Sequence, residues 1–104
     1  MISADRLTAG TRNQIALAHK MLARDLALIR LVDLVDPAGN LSTNGRAGAV
    51  SDRLRSFLDR AWPCIEAGDR QAHNPVESAM ADLCRAGCPT SARRLFDLLA
   101  ELRL

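Results

Sequence analysis

The chain has 104 residues, 48% of them hydrophobic and 25% charged, with a formal net charge of +2. That length suits one domain, and that balance excludes a disordered chain and a strongly basic nucleic-acid-binding tail. Phe57, Trp62 and Phe96 are the only aromatic residues while Leu and Ala dominate, a composition that favours helix over sheet. The expected fold is all-α: one helical domain over residues 1–104, four to five helices, and one long N-terminal helix at about 12–36. Self-association through that helix is expected for reasons given below.

Fourteen basic and twelve acidic residues alternate in small groups and collect into no block. Thirteen of the basic residues are Arg and only Lys20 is Lys, which reads as the mark of a GC-rich genome more than of phosphate recognition. Met1-Ile-Ser-Ala-Asp-Arg lacks a basic segment followed by an apolar one, and charges interrupt every apolar run before spanning length. A cytoplasmic location with no membrane partner is expected. Three cysteines, an odd number without a secretion signal, point to reduced thiols instead of a disulfide framework.

Ser3 or Asp5 stands where it would cap a short helical turn before Gly10. Thr11-Arg-Asn-Gln14 then has the spacing of a capping box, and no Gly or Pro follows until Asp36-Pro37-Ala-Gly39. The helix so defined is about 37 Å long. Its apolar positions form two rows: Ile15, Ala18, Leu22, Leu26, Ile29 with Val32, and Leu17, Met21, Leu28, Leu31 with Val35. Together they are wider than the stripe of an ordinary surface helix, so one row faces the domain and the other needs a partner. The second row is expected outward, because the flexible Met21 and the interrupting Arg24 suit a surface that is both soluble and adhesive. The expected interface is Leu17, Met21, Arg24, Leu28, Leu31 and Val35.

Pro37 to Gly48 is rich in turn formers and reads as the longest loop, a plain connector more than a binding loop. Beyond it Val50, Leu54, Phe57, Leu58, Ala61 and Ile65 make an amphipathic stripe, with Arg53, Arg55, Asp59 and Arg60 outward. Pro63 kinks this helix or restarts it, and Gly68 helps to end it. Asn74-Pro75-Val76-Glu77 combines an N-cap, a proline in the first turn and a glutamate to close a capping box, so a helix starts at Pro75 and stops at Gly87. Thr90 or Ser91 caps a last helix whose Ala92, Leu95, Phe96, Leu99 and Leu102 form a continuous stripe.

Few constellations suggest chemistry. The last two helices have the spacing of a helix-turn-helix at about 75–103, with Arg93 and Arg94 as the DNA-contacting residues. Arg93 falls where such a helix usually buries an aliphatic side chain, and Leu83 where a small residue permits close crossing. Cys64, His73, Cys84 and Cys88 offer zinc-ligand types without the familiar two-residue spacing, so no metal site is expected. His19, between the apolar rows, reads as a half-buried or interface histidine. Gly45-Arg-Ala-Gly48 lacks the strand and lysine of a phosphate cradle. No catalytic residue or cofactor is expected, and the chain does not read as an enzyme.

In size and architecture the chain is similar to a class, small helical bacterial proteins that dimerise and occupy a surface of a larger regulator. The expected function is a regulatory protein-protein interaction module, sequestering or assisting a partner such as a transcription factor. A DNA-binding regulator is the alternative.

Overall fold

The computed structural model describes residues 9–104, with side chains from Ala18 onward. Five α-helices and no strands make up the described chain: α1 (Ala9–Val35), α2 (Thr43–Arg60), α3 (Trp62–Glu66), α4 (Pro75–Arg85) and α5 (Ala92–Glu101). No helix among the described residues is long and apolar enough to cross a membrane. The long helix is already formed at Ala9, the first described residue, so Thr11 lies inside it and is not its cap. The turn proposed for Ser3 or Asp5 lies outside the described residues.

The connector after α1 is shorter than its composition suggests, because α2 takes in Asn44, Gly45 and Gly48. Two local devices draw these poor helix formers in. The Ser42 hydroxyl accepts the Gly45 N–H at 3.1 Å as an N-cap. The Asp36 carboxylate accepts the amides of Asn40 and Leu41 at 2.9 and 3.0 Å and the Arg46 Nε at 3.0 Å, tying the end of α1 to the first turn of α2. Those donors hold the Asp36 carboxyl below its ordinary pKa, the Leu41 amide first among them.

Pro63 restarts the chain as α3, occupying the first turn where its missing N–H is no loss. Asn74 caps α4 by accepting the Glu77 N–H at 2.9 Å. The reciprocal bond is shifted by one residue: Glu77 accepts the amide of His73, not that of Asn74, at 2.8 Å and also takes both Arg70 nitrogens at 3.0 and 3.1 Å. The Arg70 guanidinium and then the His73 amide lower the Glu77 pKa from 4.5 to about 2. Gly87 ends α4 in the left-handed region (φ 72°), which lets the Cys88 N–H reach back to the Leu83 carbonyl at 3.0 Å. Ser91 caps α5 through the Arg94 N–H at 3.3 Å.

The helices pair in two sets: α4 packs on α1, and α5 packs on α2. α1 and α2 touch each other and join the sets. The core between them contains Leu28, Leu31, Val50, Leu54, Leu83, Leu95 and Leu99, each essentially inaccessible. Two polar ties fix α5 to α2: the buried Ser51 hydroxyl donates to the Thr90 carbonyl at 2.6 Å, and Thr43 donates to the Leu104 carbonyl at 2.9 Å. Trp62 borders the core beside Phe57, their ring centroids 6.2 Å apart, with the Arg85 guanidinium 5.7 Å above the indole.

Candidate interaction surface

The row of α1 expected to face a partner is largely taken by the chain's own core. Leu28 and Leu31 are both 0% exposed, and Val35 is half-buried against the core. Arg24 is turned aside into an ion pair, its Nε and Nη2 donating to Asp25 Oδ1 at 3.0 and 2.8 Å. Met21 alone among the described side chains of that row is exposed, and Leu17 lies outside the described side chains. The reason is angular. Ala27, Leu28, Leu31, Val32 and Val35 fall on one arc of the helix, roughly 140° wide at 100° per residue, and that arc takes members of both rows.

The outward strip is instead made of Ala18, Leu22, Leu26 and Ile29 of the first row, Ile15 lying outside the described side chains. Leu22 is 57% and Leu26 58% exposed, and Ile29 is partly exposed. Before Arg24 no described side chain is buried: every one from Ala18 to Ala23 is exposed, whichever way it points. A helix exposed on all sides contributes no side chain to the core. This stretch, with Met21 and Leu22 in it, extends beyond the core and meets α4 at its C-terminal end, through Lys20. His19 belongs to it and is exposed, which removes the half-buried reading and leaves the interface one.

Beside the strip, between α1 and α4, runs an open groove of about 600 Å³. Ala23, Leu26, Ala27 and Ala86 supply apolar surface, and Lys20, Arg30, Arg85 and Asp82 supply the polar rim. Asp82 is shared by two guanidiniums, accepting from Arg30 at 3.1 Å and from Arg85 at 3.2 Å. Lys20 reaches the C-terminal end of α4, its Nζ 3.8 Å from where a Cβ on Gly87 would stand.

The remaining candidates are dispersed. Arg93 and Arg94 are exposed on the first turn of α5. α4 and α5 make little contact with each other, since each packs on a different long helix, which departs from the mutually packed pair of a helix-turn-helix. Cys64 is exposed while Cys84 and Cys88 are half-buried, and burial pushes the thiols of both up to about 11. Among the described residues no three His, Cys, Asp or Glu side chains are placed to hold a metal ion. His73 is exposed, and its amide serves the α4 cap. No family model matches the chain, and neither a curated protein nor a solved structure is significantly similar to it.

Proposed function

We propose that the protein is a regulatory protein-protein interaction module that dimerises through α1 and acts by occupying a surface of a larger partner, such as a transcription factor. The observation that supports this is the uncovered stretch of α1, where Met21, Leu22 and Leu26 are 45%, 57% and 58% exposed on one helix. A solvated helix gains little from its own hydrogen bonds and is marginal until its apolar face is packed. An apolar strip of this kind on a small chain marks an association surface.

Magnitude decides the kind of dimer. Burying the exposed half of Met21, Leu22, Leu26 and Ile29 is worth about 1 kcal/mol per side chain, so roughly 6 to 8 kcal/mol for two copies. That is comparable with the free energy lost on association, which runs from about 4 to 15 kcal/mol. Even against the smallest cost the surplus is only about 4 kcal/mol, so the dimer is weak and dissociable, in roughly the millimolar range.

Light scattering over a concentration series tests it. The expected result is a monomer-to-dimer transition that Leu22→Asp with Leu26→Asp abolishes while circular dichroism is unchanged. A particle that stays monomeric at high concentration refutes self-association through α1. Duplex DNA titrated at low salt tests the alternative through Arg93 and Arg94, and binding that disappears when both become Ala supports it.

A further inference from the structure

The outward strip leaves the groove between α1 and α4 without a role. Its apolar part is shaped by small side chains: Ala23 and Ala27 lie one turn apart on α1, and Ala86 lies at the end of α4. Small residues one turn apart leave a hollow that a large apolar side chain of an approaching helix fills. Leu26, more than half exposed, stands beside that hollow as a wall.

The charge around the hollow has one sign in excess. Lys20, Arg30 and Arg85 line it with Asp82 as the single carboxylate, already engaged by both arginines. Three cations to one carboxylate leave a surplus of two positive charges beside apolar surface. A second copy of this chain would bring the same surplus and meet it with like charge, which disfavours the groove as part of the homodimer contact. A nucleic-acid backbone would meet alanine and leucine over much of the cleft. Apolar anchors flanked by carboxylates satisfy both parts of the surface.

We infer that the α1–α4 groove docks an acidic amphipathic helix of a partner protein, its large apolar side chains over Ala23 and Ala27 and its Asp or Glu residues against Lys20, Arg30 and Arg85. This rests on reading the protein as an interaction module, but not on its self-association.

The probe is a fluorescent synthetic helical peptide with Leu at positions i, i+4 and i+7 and Glu on both flanks, titrated with the full chain by anisotropy. A matched peptide carries Lys in place of Glu. Expected are saturable binding of the acidic peptide only, and a loss of roughly tenfold or more in affinity with Lys20→Glu and Arg30→Glu. Arg85 is left intact because it also covers Trp62. Ala23→Trp fills the hollow from an exposed helix position, so it blocks binding while the circular dichroism stays unchanged. Equal binding of the two peptides, no binding of either, undiminished affinity of the Ala23→Trp chain, or equal competition by duplex DNA overturns the assignment. Light scattering of the same chain over the concentration series separates the two readings: a monomer that binds the acidic peptide removes the dimer and keeps the groove, and a dimer that ignores the peptide does the reverse.

Discussion

The two parts of α1 carry similar apolar residues and meet opposite fates. From Ala27 to Val35 the helix gives Leu28, Leu31 and Val32 to the core, while from Ala18 to Ala23 it buries no side chain. Hydrophobicity does not separate them, since Leu22 and Leu31 are the same residue type. Length does. α1 has 27 residues and α4, its main cover, has 11, or about 40 Å against about 16 Å at 1.5 Å per residue. A short helix cannot cover a long one, and what it leaves uncovered is free to bind something else.

The sharpest way to break this comparison is to truncate one leucine from each part. Leu31→Ala should lower unfolding stability by about 3 kcal/mol, because a fully buried leucine leaves a cavity. Leu22→Ala, measured in urea at a concentration where the chain is monomeric, should change it by less than about 0.5 kcal/mol. Comparable losses would mean that the two parts are equally packed. A second measurement needs no mutation: amides of residues 18–23 should exchange rapidly in dilute solution and gain protection as concentration rises, while those of 28–32 are protected throughout.

Smaller effects follow from loosening the cover instead of the helix beneath it. Asn74→Ala removes the N-cap of α4 and should cost about 1 kcal/mol, with faster exchange in the covered part of α1 and none in the uncovered part. Acid should act on the same cap. Folding lowers the Glu77 pKa from 4.5 to about 2, so its contribution is complete above about pH 4.5 and is lost as pH falls towards 2. Glu77→Gln should flatten that part of the stability-pH curve, and an unchanged curve would show that the Arg70 pairing adds nothing. Slightest in energy is a chemical contrast: alkylation at neutral pH should reach exposed Cys64 first, with Cys84 and Cys88 slow because they are half-buried and protonated. Mass mapping of the modified peptides gives the order.

Signals confined to a few residues were legible in the sequence. Asn74 with Pro75, Ser91 before α5, Pro63 at a restart and Gly87 at a helix end each act through their own turn, and each is found in that role. The connector after α1 is shorter than its composition implies for the opposite reason. Asn44, Gly45 and Gly48 have poor helix propensity, but an ion pair between Asp36 and Arg46, ten residues apart, and the Ser42 cap outweigh it. The basic-rimmed groove had no sequence signal at all, because Lys20 and Arg30 meet Asp82 and Arg85 only when α4 lies on α1.

The sequence by itself determined that the chain is all-helical, where most helices begin and end, and that α1 has more apolar surface than one stripe can use. Helix propensity, caps and periodicity are local properties, so a linear reading contains them. Which of the two rows is buried was decided by tertiary structure alone. Both rows have helical spacing and similar hydrophobicity, and only the placement of α2 and α4 against α1 puts Leu28 and Leu31 inside and leaves Leu22 and Leu26 outside.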